Sequence, residues 1–398
     1  MKQVLSKLFN DFFNSEKTGG FVLIACTILS ILIANSPIGE NYLHFWHQTV
    51  GFDNNNIHLN YPIEYWINDG LMAIFFLLVG LEIEREIYVG ELSSFKNALL
   101  PIFAALGGML VPAIIHFAIN KGTDTQSGFG IPMATDIAFA LGVLSLLGNK
   151  VPAYLKIFLI AFAIIDDLGA IIIIAVFYTQ TFSLLYFGFA IGIFALLLVF
   201  NRLKIHNLLF YLLPGVLMWY CMLQSGVHAT VSGVLLAFAI PFGDGGEFSP
   251  SYKLQHFLHK PVAFIILPLF ALANTGVVFA TGWYNQLASK NSLGIMIGLV
   301  AGKPLGILLF AFMAVKLKIS SLAEDISWKH ILGAGLLGGI GFTMSIFITL
   351  LAFKDGQMVV NSKMAVLFAS VVAGIIGFIY LKISIRKKKE PFGIFSID

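Results

Sequence analysis

The stretch "FLIAFAIIDDLGAIIIIAVFY" (158–178) runs for 21 residues, and its only charges are two adjacent carboxylates, Asp166 and Asp167, at its centre. About 20 mainly apolar residues are enough for a helix to cross the hydrocarbon core of a bilayer. The run is continuously apolar, without the period-two alternation of a barrel strand. Working outward, comparable stretches lie near 18–36, 62–83, 97–119, 128–147, 183–200, 205–222, 226–241, 256–280, 292–315, 331–352 and 362–382, making twelve with the first. The whole chain of 398 residues is 58% hydrophobic and 11% charged, with a mean hydropathy of +0.88, whereas soluble domains carry about 25% charged residues. The expected fold is therefore an all-α polytopic membrane protein with about 12 transmembrane helices, a single integral membrane domain over 1–398. A net charge of +3 gives no reason to invoke nucleic acid. Cys26 and Cys221 each lie inside an apolar stretch, so neither a disulfide framework nor a thiolate metal site is expected.

The first apolar run, Gly19 to Ala34, is followed by "NSPIGEN" rather than a small-residue cleavage site, so it reads as a retained helix. With the N-terminus placed in the cytoplasm, the inside segments hold 19 of the 24 basic residues. The outside loops hold Lys121, Lys290, Lys354 and Lys363, and Lys303 lies within a span. That bias follows the positive-inside rule and puts both termini inside, as an N-terminal segment (1–17) and a basic tail (384–398) containing "RKKK". The first outer loop (44–61) contains "HQTVGFDNNNIHLN", two short segments about an Asn-rich turn, where a β-hairpin or an irregular loop would fit.

Most of the 38 glycines permit close helix packing. Two stretches differ: "SGFGIPMATD" (127–136) and "GLLGGIGFTMS" (335–345) interrupt the fourth and eleventh spans at mid-depth. Each is the middle member of a triplet, spans 3–5 and 10–12, and paired interruptions of this kind point to an inverted-repeat transporter with discontinuous helices.

Four ionisable residues sit near span centres: Asp136, Asp166, Asp167 and Lys303. Each costs roughly 2.5–3.5 kcal/mol on insertion scales, which makes it a functional candidate. Lys303 is eleventh in the run Leu293–Val315. Either end is then about 15 Å away at 1.5 Å per residue, beyond the reach of a snorkelling stem. Asp136 and Lys303 could instead serve structurally, offsetting the partial charges of broken helix ends. Adjacent helical residues point about 100° apart, so one fixed partner cannot satisfy both Asp166 and Asp167. Three acids and one base cannot be fully ionised and neutral together; protons or a cation must make up the difference. Carboxylate and carbonyl oxygens suit a hard cation, Na⁺ or Li⁺.

These motifs resemble the NhaA-type sodium/proton antiporter family. The resemblance covers nearly the whole chain and is carried by "KTGGFVLI" (17–24), "WINDGLMAIFFLLVGLEIERE" (66–86), "PMATDIAFALGVL" (132–144), "FLIAFAIIDDLGAIIIIAVFYT" (158–179), "SGVHATVSGV" (225–234), "AGKPLGI" (301–307) and "GGIGFTMSIFI" (338–348). It implies a bacterial inner-membrane transporter, not an enzyme, whose fourth and eleventh helices cross while unwound. Asp167 would be the main cation and proton site, with Asp166 beside it. Thr135 and Asp136 would lie at the crossing, and Lys303 would pair with an aspartate. The resemblance further implies electrogenic exchange of two H⁺ per Na⁺ or Li⁺, no cofactor, and a homodimer joined through the outer hairpin.

The family's cytoplasmic pH-sensing cluster maps onto Glu82, Glu84, Arg85 and Glu86 in "GLEIEREIY" and onto His256 and His259 in "KLQHFLHK". Two positions depart from the pattern: Glu84 stands where a lysine is expected and Gln255 where a glutamate is expected, so an altered pH profile is anticipated. Histidine titrates in the relevant range. His228 reads equally as a packed interface residue or a sensor, and Asp69 as an accessory on the outer side. Two rivals remain. A cation channel would use the same acids as a selectivity ring. An intramembrane enzyme would need aspartates on separate helices or an Asp-Asp-x-x-Asp clamp, and "DDLGA" provides neither.

Overall fold

The computed structural model describes residues 2–54, 57–179, 182–279, 282–323 and 325–385. The basic run Arg386–Lys389 and the Asn55–Asn56 turn fall outside the described residues. Fourteen helices are labelled here, and apolar runs form the body of the longer ones. They are α1 (Lys2–Ala34), α3 (Ile63–Tyr88), α4 (Phe95–Ile119), α5 (Ile137–Ser145), α6 (Ala153–Phe177), α7 (Leu184–Arg202), α8 (Leu209–Ser225), α10 (Pro250–Asn274), α11 (Lys290–Lys316), α12 (Trp328–Gly338), α13 (Phe342–Ala352) and α14 (Gly356–Ile385), with the short α2 (Gly39–His47) and α9 (Val231–Ala239). α9 is buried against α3, where a Cβ on Gly233 would collide with the Ala73 carbonyl.

Among the described residues, seven continuous helices are long and apolar enough to cross a membrane, and three further pairs are sharply bent at a short break. The expected twelve spans thus resolve unevenly. α2 turns back from α1 at 114°, so the first span ends near Ala34 and a short helix follows it. The eighth stretch yields only the nine-residue α9, because 226–230 is non-helical, entered through Gly226 at φ +82°. The ninth begins earlier than its apolar run: the Ser249 hydroxyl accepts from the Tyr252 N–H at 3.2 Å, capping a polar first turn. Between α2 and α3, β1 (Thr49–Asn54) and β2 (Ile57–Pro62) pair antiparallel, with Thr49 opposite Pro62 and Asn54 opposite Ile57.

The two triplets meet through α4 and α11. A Cβ on Gly107 would collide with the Gly306 carbonyl, and one on Gly306 with the Gly107 carbonyl. The two backbones therefore touch where larger residues would hold them apart. The middle members are the broken ones. A 3-10 segment, Asp124–Met133, bends by 44° into α5, and α12 bends by 48° into α13. Residues 134–136 and 340–341 are non-helical, and they cross: the Asp136 N–H donates to the Ile340 carbonyl at 2.7 Å. Around them, proline widens two spans. Pro268 and Pro304 lack an N–H and crowd the carbonyl four residues back. Each is preceded by a π-helical turn, Val262–Ile266 and Gly298–Gly302, a feature frequent at functional sites.

Candidate functional site

The crossing leaves helix ends buried in the middle of the bundle, where their free N–H groups cannot reach water. Asp136 meets two of these ends. It is the N-cap of α5, and its Oδ1 accepts from the Phe139 N–H at 2.8 Å. Its Oδ2 accepts from the N–H of Thr343 at 3.1 Å and from the Thr343 hydroxyl at 2.5 Å, at the start of α13. One carboxylate thus caps a helix start from each triplet. The Thr135 hydroxyl donates to the Gly338 carbonyl at 2.9 Å, and the Ser345 hydroxyl to the Ile131 carbonyl at 2.6 Å. The two broken spans are thereby laced together on both sides of the crossing.

Lys303 stands directly after a π-helical turn and is 0% exposed. Its Nζ lies 2.7 Å from Asp166 Oδ2 and also donates to the Met133 carbonyl, at the end of the 3-10 segment. The same ammonium lies 5.9 Å from the Phe162 ring centre. Asp166 and Asp167 both lie on α6, but the helix rotates them apart, and the lysine bonds to Asp166 alone. Asp167 is 1% exposed, and neither of its carboxylate oxygens has a hydrogen-bond partner among the described residues.

Charge accounting makes the asymmetry plain. Two helix N-termini, each worth about half a positive charge, offset Asp136. The Lys303 ammonium offsets Asp166. Among the described residues no group bonds Asp167, and an isolated buried carboxylate is far too costly to persist bare. Asp167 faces a cavity of about 30 Å³ that it shares with Asp136, Thr343 and Glu82, among apolar side chains including Leu78 and Val262. That is room for one water molecule or one small ion. Such a site has the chemistry to hold either a proton or a hard cation on Asp167.

The remaining candidates divide into two groups. Glu82, Glu84 and Arg85 are buried on the last turns of α3, and Glu82 lines the same cavity as Asp136 and Asp167. His259 on α10 places Nε2 3.6 Å from Glu82 Oε1, and Arg85 bonds Glu86 at 2.8 Å. Among the described residues, one buried Glu84 carboxylate oxygen and the buried Gln255 amide nitrogen have no hydrogen-bond partner. His256 faces outward, stacked on Tyr252 with ring centres 6.2 Å apart. Asp69 is buried in a π-helical turn of α3, and its backbone carbonyl accepts from the Trp219 indole at 3.0 Å. His228 bonds the Tyr178 carbonyl at 3.0 Å, tying the start of the α9 region to the end of α6.

Three participants were not singled out from sequence: Thr343, Ser345 and the Met133 carbonyl. The first two sit in the interrupted stretch 335–345, and a hydroxyl at mid-span was the available signal. A backbone carbonyl leaves no mark in a sequence.

Comparison with known proteins gives consistent results. The family model described as Na+/H+ antiporter 1 matches residues 10–381. A protein of Dechloromonas aromatica named Na(+)/H(+) antiporter NhaA is 62% identical over 381 residues, covering 95% of this chain and 96% of its own length. Na(+)/H(+) antiporter NhaA 1 of Flavobacterium johnsoniae is 58% identical over 386 residues, covering 97% and 99%. A Helicobacter pylori relative of the same name is 45% identical over 424 residues, covering 96% of each. Among solved structures, the sodium proton antiporter MjNhaP1 from Methanocaldococcus jannaschii shares the fold, with a TM-score of 0.55 and 13% identity over 96% of this chain and 99% of that one.

Proposed function

The chain belongs to the Na+/H+ antiporter 1 family and is a sodium/proton antiporter; from that premise we propose that Asp167 is the site at which Na⁺ and H⁺ displace one another. The observation that carries this reading is the unpartnered, buried Asp167 carboxylate beside an Asp166 already bonded to Lys303. Asp166 supplies further oxygens when the cation arrives. Li⁺, equally hard and smaller, is handled by the same oxygens. Asp136 and Thr135 hold the crossing, and Lys303 balances Asp166. The Gly/Pro-interrupted spans act as the joint about which access alternates. Export of one Na⁺ against two H⁺ makes the cycle electrogenic. The chain lies in the bacterial inner membrane with both termini cytoplasmic, and β1–β2 joins two copies outside.

The test is competition. Adding NaCl to the purified protein in weakly buffered detergent at mildly alkaline pH is expected to release protons, read by a pH dye. Sodium binding without proton release would contradict a shared site. A channel reading predicts the same binding but a Na⁺ current without opposed proton movement.

We further propose that the α3–α10 cluster sets the pH response. Glu84→Lys places a cation on the same helix end as Glu82 and Glu86 and favours ionised carboxylates. The activation curve of Na⁺-driven proton flux is then expected to move to lower pH by about one unit. An unmoved curve would remove position 84 from pH sensing.

A further inference from the structure

At the end of the bundle that carries Lys150, Lys156, Lys316 and Lys382, a cavity of about 150 Å³ opens between the residues after α5 and the last turns of α14. Its lining among the described residues is Leu146, Leu147, Lys150, Phe378, Lys382 and Ile385: four apolar side chains and two lysines, with no carboxylate. Neither lysine is ion-paired among the described residues. The Lys382 ammonium lies 5.5 Å from the Phe378 ring centre, so the aromatic face holds the charge at the cavity.

A second observation says what approaches. Phe368, Val371, Ile375, Phe378, Lys382 and Ile385 recur at alternating intervals of three and four residues, a spacing that aligns them on one face of α14. Phe368, Val371 and Ile375 are 51%, 54% and 55% exposed, so none of the described residues covers this stripe. From Lys382 back to Phe368 the helix rises about 21 Å, more than the ~15 Å of one leaflet. The face is thus cationic at the membrane surface and bare hydrocarbon below it. Free phosphate would use the lysines and leave the stripe uncovered; an anionic lipid matches both parts.

We propose that this pocket seats the headgroup phosphate of an anionic phospholipid between Lys150 and Lys382, with its acyl chains lying along the exposed face of α14. Basic pockets between helix ends are suited to such headgroups. The site is separate from the ion pathway at Asp167, and the inference rests on the membrane fold rather than on the assignment of the exchange residues.

Native mass spectrometry of the full chain, released from detergent during titration with phosphatidylglycerol or phosphatidylcholine, counts bound lipids and reports oligomeric mass. One phosphatidylglycerol is expected to bind about thirty-fold more weakly to Lys150→Gln/Lys382→Gln than to the parent. Affinity should return in Lys150→Arg/Lys382→Arg and stay unchanged in Lys316→Gln/Lys318→Gln, whose lysines do not line the cavity. Equal affinity of parent and glutamine variant overturns the proposal, as does equal binding of phosphatidylcholine. Displacement of the lipid by millimolar inorganic phosphate assigns the pocket to a free anion instead. A glutamine variant that loses dimer mass while keeping its lipid assigns it to a second copy of the chain.

Discussion

Asn in place of Asp167 is expected to abolish Na⁺-driven proton movement in everted vesicles, lowering it at least a hundredfold, while the protein still inserts and purifies as a monodisperse species. The amide keeps the size of the carboxyl group, so the packing around α6 and the 30 Å³ cavity persists. What disappears is a carboxylate that has no hydrogen-bond partner among the described residues, whereas Asp136 meets two helix starts and Asp166 meets Lys303. A neutral side chain cannot take a proton and release it for sodium, so the exchange loses its currency. Asp167→Glu separates chemistry from shape, because it keeps a titrating group on a longer stem. It is expected to retain measurable exchange with weakened sodium affinity. Dequenching of a pH dye on adding NaCl reads both variants, and normal flux at normal affinity in Asp167→Asn would reassign the site.

The second large effect concerns Lys303. Removing one member of a buried ion pair leaves the other charge uncompensated, at a cost of about 3–5 kcal/mol. Lys303→Ala leaves Asp166 and the Met133 carbonyl without their shared donor, in a position with no access to water. The thermal midpoint in detergent is expected to fall sharply. Adding Asp166→Asn to a Lys303→Gln background should restore much of it, since a pair of neutral amides no longer strands a charge. Recovery of stability in the double variant, without recovery of exchange, would place Lys303 in a balancing role. A single variant as stable as the parent would show that the contact between Lys303 and Asp166 contributes little. The size of the electrogenic current in Lys303→Ala then tells whether the lysine itself carries a proton: a retained current means that it does not.

Both expectations began as a reading of apolar runs and misplaced charges, and the limits of that reading follow from particular residues. Hydrophobicity is a local property, so the run 158–178 identified a membrane span and exposed Asp166 and Asp167 as costly within it. Gly and Pro act locally too, and the interruptions at 127–136 and 335–345 marked the breaks now found at 134–136 and 340–341. Helix type was less legible. The eighth apolar stretch became the nine-residue α9 because its first residues turn through Gly226, and α10 starts in a polar turn because Ser249 caps it. Partnership was not legible at all. Asp136 finds Thr343 across 207 positions, and Lys303 reaches Asp166 across 137. Composition fixed how many charges enter the membrane and near which depth. Only the tertiary structure decided which carboxylate the lysine bonds and which it leaves bare. That choice depends on how α6 and α11 are rotated against the crossing, and rotation is set by packing between distant segments rather than by the order of residues within either one.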